Sequence, residues 1–479
     1  MKSSQPSRAA SREKRRFPAR PDQRAIYVMA ALFLVAFLLG GGGQRYGLAN
    51  LAVQLAALGA ISLQISSANA FLKSAPSSLK LLVAASLILP LVQIVPLPYS
   101  VWRSLPARDF IAPSLELIGG SAWTALSLDP RRTLLALSGL ITPIAILLVG
   151  WSVRRDQLVT LAWLFAALGL VTLIIGAFQV FAAQPLSLWV YDNLPTEIVL
   201  GTFANRNSTG LFLVGALGFA ALAPPPMSHP AALPLRVAAV VLLALAIILT
   251  QSRSSLVLSV IPLGLALVRL VAWAHDQPSA AHARLPRPKR LRGRPLFLAT
   301  GMVALVGTTI AALLVFAPGR LGDTLERFEP DKTDARAYIW QDATSASSRY
   351  WPVGVGMGNF DEVFEIDESL EHVSLARAVR AHNDYLELMI EAGIAGLALL
   401  AGWAALLVWL SWRARLSQLR WLAWAASAFL LAIAGQSLTD YPLRNQTMLA
   451  AAGFSLLILA RIGARPGQPP QKRSEAQPA

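Results

Sequence analysis

The chain contains no cysteine in 479 residues, which excludes a disulfide framework, a thiolate nucleophile and any Cys-ligated zinc or iron–sulfur centre. Charge is also scarce. Charged residues make up 14% of the chain, against about 25% in an ordinary soluble domain, and acidic residues are the scarcer kind, 26 against 42 Lys and Arg. Histidine is limited to His229, His275, His282, His372 and His382. None of them has the partners that a metal site of known spacing needs, and no metal or cofactor is expected. What fills the chain instead is apolar sequence, 55% of all residues, gathered into blocks. A membrane-spanning helix needs ~20 such residues, so a soluble enzyme is excluded.

Twelve apolar blocks cover 26–41, 48–66, 81–98, 133–151, 158–181, 209–223, 237–250, 255–273, 296–317, 385–410, 421–437 and 447–460. The spacing predicts an all-α polytopic membrane protein with about twelve transmembrane helices. The two runs in 237–273 are separated only by Thr250-Gln251-Ser252-Arg253-Ser254-Ser255 and equally fit a broken helix pair with a tight outer turn. Trp151, Trp189, Trp273, Trp409 and Trp412 fall at block ends, where aromatic belts are expected.

With residue 1 in the cytoplasm and the blocks alternating, the cytoplasmic segments, counting Arg269 at the end of its helix, hold 27 of the 42 basic residues and 5 of the 26 acidic ones. The other side keeps 15 basic and 21 acidic residues. Lys and Arg in short loops fix orientation, so both termini are expected in the cytoplasm. The basic loop 274–295 and the tail with Arg12, Lys14, Arg15 and Arg16 then read as topology determinants beside anionic lipid, and nucleic acid is not an expected partner. The expected organisation is a disordered basic tail over 1–24, helices 1–9 over 25–317, an outer cap over 318–384, helices 10–12 over 385–461 and a disordered tail over 462–479.

Two outward segments are long, 99–132 and the 67 residues of 318–384. The second carries aromatic and apolar residues at intervals and a glycine punctuation, Gly354-Val355-Gly356-Met357-Gly358, which together predict a folded helical cap. The glycines lack the Lys-Ser/Thr ending of a phosphate loop, so they are expected to form turns. The acidic run Asp361, Glu362, Glu365, Asp367, Glu368 and Glu371 does not match an EF-hand and reads as a solvated helix face.

Ionisable side chains at the membrane edge are functional hypotheses by default. Arg206 in Asn205-Arg206-Asn207, Arg253, Arg336, His382-Asn383 and Arg444 all fall on the outer side of the topology set by charge alone. Arg206 and Arg444 equally fit snorkelling to headgroups. Arg253, in a minimal turn among small hydroxyls, has less room for that. Residues and spacing by themselves stop at an outward cationic site with one histidine, suited to an anionic, membrane-borne substrate.

Taken together and in order, four segments resemble the O-antigen ligase and polymerase superfamily of bacterial inner-membrane glycosyltransferases. They are Gly201-Thr202-Phe203-Ala204-Asn205-Arg206-Asn207, Thr250-Gln251-Ser252-Arg253-Ser254, Arg336-Ala337-Tyr338-Ile339-Trp340 with the Gly354-Val355-Gly356 turn, and His382-Asn383-Asp384-Tyr385-Leu386-Glu387 with Glu391-Ala392-Gly393-Ile394. Leu126-Ser127-Leu128-Asp129-Pro130 also looks familial. The resemblance implies a GT-C-like helical architecture in the inner membrane, with a periplasmic active site. It implies a glycan donor on polyprenyl diphosphate and transfer to a hydroxyl on a lipid, glycan or protein acceptor. By motif position it implies Arg253, Arg336 and His382 as catalytic residues. Asn205, Arg206, Asn207, Asn383 and Arg444 are the expected substrate-binding residues. Ligase and repeat-unit polymerase share this donor chemistry and differ in acceptor, which the motifs do not read. A lipid-linked sugar transporter is the competing class; the absence of repeat symmetry and the one-sided cap stand against it.

Overall fold

The computed structural model describes residues 23–43, 45–120, 122–181, 191, 198–225, 232–275, 336–371, 373 and 378–464. The expected tail 1–24 beyond its last two residues, the basic loop 276–295, the block 296–317, the segment 318–335 and the tail from 465 lie outside these residues. In chain order the first half contains α1 (Arg24–Leu39), α2 (Gly47–Leu63), α3 (Ile65–Ser74), α4 (Ser77–Ile94), β1 (Pro96–Pro98), α5 (Tyr99–Arg103), α6 (Arg108–Leu117), β2 (Trp123–Ala125), α7 (Pro130–Gly139), α8 (Ile141–Gly150) and α9 (Arg155–Phe181). There follow α10 (Arg206–Leu222), α11 (Ala232–Leu249), α12 (Arg253–His275), α13 (Arg336–Arg349), α14 (Phe360–Asp367), α15 (Asp384–Ala414), α16 (Arg420–Gln436) and α17 (Gln446–Gly463).

Eleven of the twelve apolar blocks fall on helices. Among the described residues 8 helices are long and apolar enough to cross a membrane, with α7 and α8 forming one of them, or 9 if α2 and α3, bent by 78°, make a single span. The remaining two blocks form α10 and α16, each 17 residues long. The protein is an all-α polytopic membrane protein. The 237–273 region resolves into two separate spans, because Gln251 takes φ 53° and turns the chain within three residues.

In lipid, helices gain little from apolar contact as such and associate through close packing. Here α10 is the axis, buried along most of its length between α9, α11, α12 and α16. Phe165 of α9 is the centre of the aromatic core: it stacks on Phe212 at 4.6 Å and meets Phe429 edge-on at 5.8 Å and Phe33 at 6.3 Å. Four helices therefore lock at one level.

The two ends of the bundle differ in chemistry. At one end arginines close the helix termini. Arg236 donates to Ala223 O at 2.6 Å and Arg269 to Leu222 O at 2.6 Å, where carbonyls left unpaired by the end of α10 attract cations. Arg461 and Val153 O are joined at 2.9 Å. The same arginines lie over tryptophans, Arg236 on Trp163, Arg269 on Trp421 and Arg461 on Trp151, and Arg413 and Arg415 lie over Trp409 and Trp412.

The other end carries the cap. Its described part unites both long segments: Ala107, Ile111 and Leu128 pack against a cluster of Ala343, Ala346, Tyr350, Val355, Phe360, Val363, Phe364, Ala381 and Ile390. The strands β1 and β2 pair antiparallel, Pro96 against Ala125. The familial-looking Leu126–Pro130 stretch is structural. Asn359 Nδ2 donates to Ser127 Oγ at 2.9 Å, Asp129 N donates to Asn359 Oδ1 at 3.1 Å, and Asp129 caps α7. Asp361 and Glu362 of the acidic run pair with Arg132.

The glycine run is more than a turn. Its backbone forms a seam on α15 at a break where Gly393 takes φ 52° and ψ −138°. Val355 N donates to Ile390 O, Gly356 N to Glu391 O and Ile394 N to Pro352 O, each at 2.9 Å. The break frees helical backbone groups, and the cap supplies their partners. Gln93 of α4 ties in the same place, donating to Glu391 O at 3.0 Å and accepting from Met357 N at 2.9 Å.

Candidate active site

At the cap end the N-termini of α10 and α12, which open on Arg206 and Arg253, converge with Arg336 of α13. A cavity of about 290 Å³ lies between them. Arg206, Asn207, Gln251, Arg253, Ser254 and Arg336 form its polar wall, and Val257, Leu258, Gly435 and Thr439 close the rest. Each helix N-terminus adds roughly half a positive charge to the guanidinium beside it. Anions with several oxygens are therefore the favoured ligands of this wall.

A hydrogen-bonded lattice holds the wall together. Asn207 is its hub: its Nδ2 donates to Asp440 Oδ2 at 2.7 Å, its Oδ1 accepts from Ser252 Oγ at 2.9 Å and its carbonyl accepts from Gln436 Nε2 at 3.0 Å. The Asn205–Asn207 segment, the Arg253 turn and the 436–445 connection are thereby fixed to one another. Through Asp440 the lattice reaches His382, whose Nδ1 faces Asp440 Oδ1 at 3.5 Å. His382 is two-thirds buried and sits in the left-handed region at φ 51°. Its ring is 5.0 Å from that of Tyr441. Burial, helped by the Asp440 charge, pushes the Tyr441 phenol up to about 12.

Behind His382 lies a buried ion network. Glu387 Oε2 accepts from Arg444 Nη2 at 2.7 Å and from Arg380 Nη1 at 3.0 Å, and Glu387 Oε1 accepts from Ala381 N at 3.0 Å. Asp384 and Glu391 lie 3.5 and 3.8 Å from the same Arg444. Burial works against the Arg444 charge, but the three carboxylates overcome it and hold its pKa above that of a free guanidinium.

Of the residues expected from sequence, Arg206, Asn207, Arg253 and Arg336 meet at the cavity. His382 lies behind it, joined to its wall by Asp440 and Asn207. The others are placed differently from expectation. Asn205 Oδ1 caps α10 by accepting from Asn207 N at 2.7 Å, and Asn383 Oδ1 caps α15 by accepting from Tyr385 N at 3.0 Å. Arg444, expected to face substrate, is held among carboxylates. Asp440, Arg380, Gln436 and Ser252 were not singled out from sequence, and neither was Glu387 as a site residue. Glu387 and Glu391 did carry a signal: they are two carboxylates four residues apart inside an apolar block, and the rule that flags intramembrane arginines applies equally to them.

Residues 238–401 match the protein-family model described as O-antigen ligase. That match, over about a third of the chain, supports an assignment to the O-antigen ligase and polymerase superfamily. The matched stretch takes in Arg253, Arg336, His382 and Glu387 and leaves Asn205–Asn207 and Arg444 outside it. No curated protein matches the chain. Among solved structures, a chain from the structure entitled "Structural coordination of polymerization and crosslinking by a peptidoglycan synthase complex" is similar at 16% identity and a TM-score of 0.37, covering 83% of this chain and 99% of that one. At that distance it fixes no residue correspondence. The protein is a multi-pass membrane protein, and the matched family model points to glycan transfer.

Proposed function

We propose that this protein is a membrane glycosyltransferase of the O-antigen ligase type, moving a glycan from a polyprenyl diphosphate to an acceptor hydroxyl at the cap-side, periplasmic face of the inner membrane. The observation that carries the reading is the convergence of Arg206, Arg253 and Arg336 on one cavity whose wall is joined through Asn207 and Asp440 to His382. The charge distribution supports the orientation. The arginine–tryptophan end is the cytoplasmic one, and both termini lie on that side.

The acceptor oxygen attacks the anomeric carbon and its proton passes to His382. Because Nδ1 of His382 faces Asp440, Nε2 is the nitrogen that accepts it. The bond from the anomeric carbon to the diphosphate oxygen breaks with its electron pair on that oxygen. The charge developing there falls among the guanidiniums that line the cavity, which stabilise it. One displacement inverts the anomeric centre. The diphosphate's charge is met by protein cations, and EDTA is expected to leave the rate unchanged. The lipid tail follows the exposed stripe Val257, Val260, Leu267 and Val271 down α12 from Arg253.

Ligase and repeat-unit polymerase share all of this and differ only in acceptor. A deletion strain separates them. Long glycan retained on its lipid carrier identifies a ligase, and single unpolymerised repeats identify a polymerase. Repeats trapped on the cytoplasmic leaflet would refute transfer in favour of transport.

A further inference from the structure

His382 occupies a backbone conformation that non-glycine residues avoid, and such a conformation persists only where its surroundings over-determine it. The residues before it are gripped on every side. Ala381 is fully buried; its N–H goes to Glu387 Oε1 at 3.0 Å, and its carbonyl accepts from Trp340 Nε1 at 2.9 Å. The preceding Arg380 binds Glu387 Oε2 at 3.0 Å. The residue after it, Asn383, is committed to capping α15. Left-handed geometry at residue 382 is the result of these constraints together.

The same carboxylate reaches the second loop. Glu387 Oε2 also takes Arg444 Nη2 at 2.7 Å, and Arg444 closes the short 3-10 turn Pro442–Arg444 that begins two residues after Asp440. One fully buried side chain thus braces the loop that carries His382 against the loop that carries Asp440. We propose that Glu387, acting through Arg380, Ala381 N and Arg444, is the positioning residue that keeps His382 and Asp440 in register. Glu387 is not among the residues that line the cavity, and its proposed effect on the reaction runs through its partners. The inference rests on the reading of His382 as the base, but it makes a geometric claim that can be tested apart from that role.

The informative variants are Glu387→Asp, which keeps the charge and shortens the reach, and Glu387→Gln, which keeps the reach and removes the charge. Either may be compared with wild type after insertion and monodispersity are confirmed in detergent. Nitrogen-15 labelling of histidine gives five ring environments, and His382→Gln assigns the relevant one. In Glu387→Asp the His382 ring shifts should move while the other four stay. On the lipid-linked glycan that accumulates in a deletion strain, kcat should fall roughly tenfold or more with KM for that donor within about twofold. The fall should largely vanish in an Asp440→Asn background, since both changes break one pair. Unmoved His382 shifts in Glu387→Asp overturn the proposal, whatever happens to activity. If Glu387→Asp does not insert, the same shifts read in Glu387→Gln decide it. Moved shifts together with a fully active His382→Ala would leave the brace standing and refute the base assignment instead.

Discussion

Gly393→Ala is the sharpest perturbation of the seam between cap and membrane helices. A Cβ added at Gly393 would lie 1.9 Å from Pro352 O and 2.6 Å from its carbonyl carbon. Both contacted atoms are backbone, so no side-chain rotation relieves the overlap. The backbone at φ 52° and ψ −138° is moreover a region that alanine occupies only at a cost, of order 1–3 kcal/mol. Separating the two segments by even an ångström breaks the bonds from Val355 N, Gly356 N and Ile394 N, at about 1 kcal/mol each. The sum is roughly 4–6 kcal/mol against the docked cap. Because the first two turns of α15 carry Glu387 and follow His382, activity should fall as well, by ~10²-fold for a displacement of that size. Gly264→Ala is the matched control, since nothing lies within 4 Å of its added Cβ. Thermal unfolding of the two purified variants in one detergent, with glycan transfer measured alongside, provides the assay. A Gly393→Ala protein that melts and turns over like wild type would refute the seam.

Other outcomes follow from the site. Arg253→Lys and Arg336→Lys keep the charge but lose the planar fork that meets two phosphate oxygens, and each should lower kcat/KM by about 10²-fold or more; wild-type rates in both would sink the arginine assignment. Asp440→Asn should lower kcat with little change in donor KM, because Asp440 acts on His382 and its other oxygen is occupied by Asn207. Under alkaline conditions Tyr191, Tyr350 and Tyr441, three of eight tyrosines, should titrate late, since burial pushes each phenol up to about 12. Their pKa values are raised in the fold, so the stability they contribute is complete below about pH 10 and is lost as pH climbs through 12. Arg108, lowered to about 10 by burial, titrates in that window with the opposite sign. Phenolate absorbance that rises in one step near pH 10, with the fold intact, would contradict this burial.

Arginine placement was the part of the site most legible in the chain. Arg206, Arg253 and Arg336 stand out because a charge beside an apolar block is expensive, and expense is visible one residue at a time. Their convergence was not visible, since 47 residues separate Arg206 from Arg253 and 83 separate Arg253 from Arg336. Asparagines misled in the opposite direction. In a motif Asn205 and Asn383 look like substrate-binding groups, whereas the fold uses their side-chain oxygens on helix N-termini. A polar side chain's partner is a property of distance, which sequence order does not give.

The sequence by itself determined that this is a polytopic helical membrane protein, because apolar run length and basic-residue bias act locally through burial in hydrocarbon. It also carried the likeness to the O-antigen ligase family, through short segments in a fixed order. Tertiary structure alone decided that the two outer segments form one cap, that the glycine run completes the backbone of a broken helix, and that Glu387 joins the His382 and Asp440 loops. Each of these depends on groups distant in the chain satisfying one another where water is excluded. An unpaired group there is costly, so packing selects the partner.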